Sequence, residues 1–429
     1  MKNIFCIGLG KLGLIFSQIL AENKCFIYGH DVNLSVKKNF LLNKIDLEPK
    51  LNYLIKKNRS RFIFEDDYKK AISRTEAAFI ILPTPSKTNN EFDNRYILSC
   101  INKIGKFLKN KKKYLINITS TVNPGSCNNF IKILEKKFKL KHGREFILTY
   151  NPHLIALGSI YNDVVNSDLV IVGSDLQEGH SLLKKIYKKI YKKNITKLKF
   201  LNLKEAEIAK IAINSYVTMK ISFSNTISQI ADSEKNIDTS KILNTIGFDK
   251  RIGHKYLSLG AMFAGPCFPR DNLNFSKYLK NKKLLSILPE TIDEINNQQL
   301  RRYLKIFKIE NKNLTKKLNI GICGITYKDK SSVTTGSPGE LLKNYFFKKY
   351  NIFIYDQYVD QWKNQKNCKR IENLTTFYKK SDVIFVCYRD KNFKKMEKFK
   401  SSKKKIIIDL WNYLNVKGKN IYYKRIGVS

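Results

Sequence analysis

No uninterrupted apolar run in these 429 residues approaches the roughly 18 needed to span a membrane. The chain opens Met1-Lys-Asn-Ile-Phe-Cys-Ile7, which runs directly into a strand pattern. The expectation is a soluble, cytoplasmic protein with no membrane partner. Cysteine is sparse as well. Cys6, Cys25, Cys100, Cys127, Cys267, Cys323, Cys368 and Cys387 include no CxxC pair and no spacing that links a cysteine to a histidine. That argues against a disulfide framework and against zinc, so no metal is expected. Acidic residues are few: 36 against 80 basic ones, a formal charge of +44. Such an excess raises non-specific affinity for polyanions through counterion release. The lysines, however, are spread over the whole chain, in short runs such as Lys111–Lys113, the pairs between Lys184 and Lys193, and Lys403–Lys405. These read as solvated faces and loop ends, so no specific nucleic-acid partner is expected, while a positive surface suits a phosphate-bearing small substrate.

What is present is α/β patterning on a scale that calls for two or three domains. The first segment runs from a strand at Ile4–Ile7 through Gly8-Leu-Gly-Lys-Leu-Gly13 and an amphipathic stretch to about Glu22, then to a strand at Cys25–Tyr28 and Asp31. This is a dinucleotide fingerprint in its required setting. Gly8 and Gly10 let the backbone approach a pyrophosphate at a helix N-terminus, Gly13 allows close helix-to-strand packing, and Asp31 is placed for a ribose hydroxyl pair. An acid there favours NAD over NADP. Further short apolar runs, Phe79–Leu82, Tyr114–Ile118, Phe146–Tyr150 and Leu169–Val172, alternate with helical stretches, which predicts a doubly wound parallel sheet. Ligand loops then follow the strands at Pro83-Thr84-Pro85, Ser120–Gly125 and Asn151-Pro-His153.

From Leu203 to about Ser233 the pattern is helical, free of Gly and Pro, with Lys210 and Asn214 four apart on one face. Next comes Gly260-Ala-Met-Phe-Ala-Gly-Pro-Cys-Phe-Pro-Arg-Asp-Asn272, which sets Cys267 between small and rigid residues with Asp271 four positions on. A thiolate there can add to an aldehyde, and Asp271 can orient a water; a buried structural cysteine is the bland alternative. Glu310–Lys317 has linker composition. A second α/β pattern follows at Leu318–Cys323, Ile352–Tyr355, Val383–Cys387 and Ile406–Asp409, and its turn, Gly321-Ile-Cys-Gly324, lacks the full glycine set. The expected fold is therefore two Rossmann-like doubly wound domains joined by a long central helix, with residues 1–200 binding NAD, 201–308 forming a helical region that carries the cysteine loop, and 318–429 forming the second α/β domain.

Taken together, GLGKLG at 8–13, LPTP at 82–85, STVNPGS at 120–126, YNP at 150–152, EAEIAKIAINSY at 205–216, RIGHKYL at 251–257, GPCFPRD at 265–271 and GITYK at 324–328 resemble the UDP-glucose/GDP-mannose dehydrogenase family over essentially the whole chain. The resemblance implies an NAD-dependent, four-electron oxidation of a nucleotide sugar's primary alcohol to the acid, through a thiohemiacetal and a thioester on Cys267. It assigns oxyanion stabilisation to Lys210 and Asn214, water orientation to Asp271 and Thr121, and cofactor contacts to Gly8, Gly10, Leu12, Gly13, Asp31, Pro83, Thr84 and Thr121. Substrate contacts fall to Arg251, Lys255, Tyr256, Leu257, Gly265 and Lys328, in a homodimer built on the central helix. Departures stand beside the matches. Where the family has glutamates, this chain has His153 and Leu157; where it has arginines, Thr335 and Trp411. His153 can serve as a base near neutral pH, or the reaction ends at the aldehyde or covalent intermediate or uses an acceptor other than water, or the chain is a non-catalytic sugar-nucleotide binder.

Overall fold

The computed structural model describes residues 1–42, 48–191, 197–310, 318–359 and 362–429. Of the expected linker at Glu310–Lys317, Glu310 ends a helix, while residues 311–317, like the lysines at 192 and 193, lie outside the described residues. The chain divides into two compact units, Met1–Ala212 and Ile213–Ser429.

The first unit is built on an eight-stranded sheet: β1 (Asn3–Ile7), β2 (Phe26–His30), β3 (Phe62–Phe64), β4 (Ala77–Ile80), β5 (Tyr114–Ile118), β6 (Phe146–Tyr150), β7 (Val170–Gly173) and β8 (Leu198–Leu201), in the order β3-β2-β1-β4-β5-β6-β7-β8. Strands β4, β5, β6 and β7 are buried along their whole length. That is why they read as continuous apolar runs: helices cover both faces, so alternation disappears. The pairing is parallel from β3 through to β6, and β7 and β8, parallel to each other, run against the rest through one pair, Tyr150 and Gly173. A wholly parallel sheet was the expectation from spacing, and strand direction is not encoded in periodicity. Helix Lys11–Glu22 lays Leu14, Ile15, Phe16, Ile19 and Leu20 into the core beside Phe79 and Ile147. Each such side chain contributes about 1.5–3 kcal/mol on burial.

The second unit holds a six-stranded parallel sheet: β9 (Asn319–Cys323), β10 (Asn351–Tyr355), β11 (Cys368–Arg370), β12 (Val383–Val386), β13 (Lys405–Asp409) and β14 (Ile421–Arg425), ordered β11-β10-β9-β12-β13-β14. Its core joins Ile320, Ile322, Phe385 and Ile408 to Tyr303 and Phe307 of helix Ile287–Glu310. Helix Leu203–Gln229, followed by a 3-10 turn at Ile230–Asp232, runs through the division between the units. Among the described residues no helix is long and apolar enough to cross a membrane, and no His, Cys, Asp and Glu cluster is arranged to hold a metal ion.

Candidate active site

In the first unit, β1 ends in a turn shaped by glycine. Gly8 sits at φ +90°, its N–H donating to His30 O at 2.9 Å, and a Cβ there would overlap Ile81 O. A Cβ at Gly13 would overlap Gly8 O, so this glycine lets helix Lys11–Glu22 lie directly on the turn. Gly10 differs. It is the exposed N-cap of that helix, no side chain caps the first turn, that turn contains no acid, and a Cβ at Gly10 would meet nothing within 4 Å. Open space in front of uncapped, positively polarised N–H groups suits a pyrophosphate. Asp31, just beyond β2, is fixed by Leu9 N–H at 2.6 Å and Asn33 N–H at 2.8 Å. The residues present therefore fit a dinucleotide. Gly13→Ala should lower the thermal unfolding midpoint by several degrees, whereas Gly10→Ala should leave the midpoint unchanged and weaken NAD binding about tenfold or more. Isothermal titration beside a melting curve checks both, and a destabilised Gly10→Ala protein would contradict this reading.

The loops after β4 and β5 are tied together. Thr84 Oγ1 donates to Thr121 O at 2.7 Å, and Ser120 Oγ bridges Leu82, accepting from its N–H at 2.8 Å and donating to its carbonyl at 2.7 Å. Pro83 is exposed and Leu12 half-buried. One carboxylate was not singled out from sequence. Glu207, fully buried, accepts from the N–H groups of Gly125 and Cys127 and so caps helix Ser126–Phe138, fastening the Ser120–Gly125 loop. It lies inside the EAEIAKIAINSY stretch, where periodicity alone does not separate it from its exposed neighbour Glu205.

His153 packs its ring on Phe16, centroids 4.4 Å apart, with Nε2 3.4 Å from Tyr187 Oη. The Tyr187 hydroxyl hydrogen is spent on Asn151 Oδ1, so the shared contact assigns the imidazole proton to Nε2 and leaves Nδ1 as an acceptor. Burial first, and then the Lys210 charge, press its pKa down to about 3. The expectation of a base poised near neutral pH changes accordingly: the ring is neutral at working pH and a weak base. The unfolded imidazole takes a proton below its ordinary value near 6.5, the folded one only near 3. Stability should thus fall as pH drops through that window. His153→Gln should flatten that slope in unfolding midpoints measured from pH 7 to 4, and equal slopes would contradict the assignment.

In the second unit, seven cysteines across the chain being buried, Cys267 is the exposed one. Burial raises the other thiols, Cys368 to about 11 and Cys100 to about 12. Cys267 is the N-cap of helix Phe268–Asn281, where the helix dipole favours an anionic sulfur, and Pro269 at its first turn helps start the helix there. Asp271, fully buried, donates its N–H to Cys267 O at 2.8 Å. Its carboxylate accepts from Asn214 Nδ2 at 2.6 Å and from Arg270 Nε and Nη2 at 3.1 and 3.0 Å. Next to it, Asn272 accepts from Ser215 Oγ at 2.7 Å and donates to Pro289 O at 2.8 Å. The sequence paired Asn214 with Lys210; the structure adds Asp271 and Arg270 as partners.

The cysteine loop rests on the second sheet's own loops. The Trp411 indole lies against Gly260, and the Tyr327 ring comes within 2.8 Å of where a Gly265 Cβ would stand, with Gly265 at φ +85°. Gly265 N–H donates to Thr335 O at 3.2 Å, and Phe263 N–H donates to Asn296 Oδ1 at 2.7 Å. The two positions that depart from the family's arginines, Thr335 and Trp411, both support this loop. Among the expected substrate contacts, Leu257 is buried, Lys255 and Tyr256 are exposed, and Lys328 places Nζ 5.8 Å above the Tyr327 ring. Arg251 is exposed and forks onto Asp249, Nε at 3.0 Å from Oδ1 and Nη2 at 2.6 Å from Oδ2.

The chain is similar to known proteins in sequence and in fold. Profiles of the UDP-glucose/GDP-mannose dehydrogenase family match it in order: the NAD binding domain at residues 2–191, the central domain at 204–298 and the UDP binding domain at 321–416. The UDP-glucose 6-dehydrogenase of Rickettsia prowazekii (strain Madrid E) is 30% identical over 439 residues, covering 99% of this chain and 98% of that protein. UDP-glucose 6-dehydrogenase TuaD of Bacillus subtilis (strain 168) is 28% identical over 79% of this chain and 72% of its own length. The fold matches a UDP-glucose dehydrogenase structure from Pyrobaculum islandicum, with a TM-score of 0.88 at 22% identity over 100% of this chain and 98% of that one. The chain therefore belongs to the UDP-glucose/GDP-mannose dehydrogenase family, the NAD-dependent nucleotide-sugar dehydrogenases.

Proposed function

We propose that this protein oxidises the primary alcohol of a nucleotide sugar, a UDP-hexose, to the uronic acid, feeding polysaccharide synthesis from the cytoplasm. The observation that carries the reading is the exposed Cys267 at a helix N-terminus, above the buried Asp271 that Asn214 and Arg270 hold in place. NAD, when bound, supplies a hydride acceptor, used twice per sugar. The Cys267 sulfur adds to the aldehyde carbon as a thiohemiacetal and holds the acid-level carbon as a thioester until water releases it. Lys210 and Asn214 donate to the oxyanion, each such donor being worth about 3 kcal/mol in a transition state. Asp271 orients the hydrolytic water. A homodimer is supported by Tyr216, Phe223 and Ile230, exposed and seven residues apart along the long helix and the 3-10 turn that follows it. The UDP-hexose reading follows the names of the relatives at 28–30% identity.

A second reading keeps the first oxidation and alters the ending. It is favoured by His153, whose depressed pKa leaves a weak base where the resemblance places a glutamate. Counting NADH per nucleotide sugar separates the two, and one NADH per sugar would overturn the first.

A further inference from the structure

The first sheet reverses its strand order between β1 and β4, and a dinucleotide lies across the crevice at that point, one half of the fold to each end. Asp31 follows β2, so the β1–β3 half takes the adenosine end, and the loops after β4 and β5 fall to the nicotinamide end. The helices that open the two halves end differently. Helix Lys11–Glu22 leaves its N-terminal N–H groups uncapped. Helix Ser126–Phe138 also lacks a cap from its own N-cap residue, Gly125, but there Glu207, 80 residues beyond Cys127, supplies an anion from within the protein.

Both oxygens of this fully buried carboxylate are used: Oε2 accepts from Gly125 N–H, and Oε1 accepts from Cys127 N–H at 2.8 Å. The helix that carries Glu207 is fixed beside it, because Asp175 accepts from Leu203 N–H at 2.9 Å and from Asn128 Nδ2 at 3.3 Å. The loop that Gly125 closes is thus held along its length. Ser120 is tied to Leu82 and the Thr121 carbonyl to Thr84, while the Asn123 amide accepts from Phe92 N–H at 3.0 Å and donates to Phe92 O at 2.9 Å. Thr121, three residues past β5, is left half-exposed. Lys210 follows Glu207 by three residues, on the same side of its helix, so one carboxylate sets the loop in register with that lysine's helix face.

We propose that Glu207 is a positioning residue of the cofactor pocket: by capping helix Ser126–Phe138 it holds the Ser120–Gly125 loop in the shape that receives the nicotinamide half of NAD. It acts through the loop that carries Thr121 and touches neither cofactor nor substrate. A loop ordered before the ligand arrives spares binding the cost of ordering it. The inference rests on NAD as the cofactor and on nothing about the sugar.

The test is titration calorimetry of the full chain with NAD and with ADP, which keeps the adenosine and the pyrophosphate and lacks the nicotinamide half. Glu207→Gln sets an amide N–H against one of the two donors, so it should weaken NAD binding by about tenfold and leave ADP binding within about twofold of the natural protein. If Glu207→Gln does not fold, the same titrations on Glu207→Asp, which keeps the charge and shortens its reach, are read in the same way: a loss for NAD that ADP does not share supports the assignment. Unchanged NAD affinity in a folded variant overturns it. An equal loss for both ligands also overturns it, because Glu207 would then only stabilise the unit. A natural protein that binds NAD no more tightly than ADP overturns it too, since the loop would add nothing to binding. Because no sugar is present, each of these failures leaves the nucleotide-sugar reading standing.

Discussion

Cys267→Ser should abolish acid formation, by roughly a thousandfold or more, while NAD binding and the unfolding midpoint stay unchanged. The residue is exposed, so the exchange of sulfur for oxygen disturbs no packing. A serine hydroxyl at a helix N-terminus is a good cap but a poor nucleophile without a base, and Asp271 is committed to Asn214 and Arg270. The covalent steps should therefore fail with the fold intact. Product analysis by mass spectrometry, with NAD titrated in parallel, checks both halves. Undiminished acid from this variant would refute the assignment of Cys267 as nucleophile.

Asp271→Ala should act on stability as well as turnover. The carboxylate is fully buried and is the acceptor for the Asn214 amide and for two Arg270 nitrogens. Removing it strands those donors, at a cost of about 2–4 kcal/mol, the half-buried Arg270 recovering some solvation. Asp271→Asn keeps the volume but sets an amide against donors, so it should lose less stability and still lose about 10²- to 10⁴-fold in kcat. Denaturant unfolding together with steady-state rates separates the two effects. An Asp271→Asn protein with kcat within twofold of the natural one would mean that the carboxylate only builds the loop.

The relation between sequence and site is uneven for physical reasons. The first turn was legible because its constraints are local: positive φ at Gly8, helix contact at Gly13 and an acid after the second strand each demand one residue type at one spacing. The strands expected from apolar runs were legible to within a residue or two because buried strands must be apolar, whereas β3, β8, β11 and β14, short or partly exposed, carry no such run and were not singled out. The reversal of β7 and β8 was not, since apolar runs look alike in either direction. Contacts at long separation were also hidden. Asp271 meets Asn214 from 57 residues away, Glu207 caps a helix 80 residues earlier, and Trp411 reaches Gly260. The environment of His153 was the sharpest loss: its residue type suggests a base near neutral pH, and only the enclosing Phe16, Tyr187 and Lys210 reveal a ring held neutral.

A complete four-electron oxidation through Cys267 is tested most directly by supplying purified protein with limiting UDP-glucose and excess NAD, counting NADH formed per sugar, and weighing the product. Two NADH per sugar and a free uronic acid are expected of that oxidation. One NADH per sugar, with an aldehyde in solution or an adduct retained on Cys267, would contradict it.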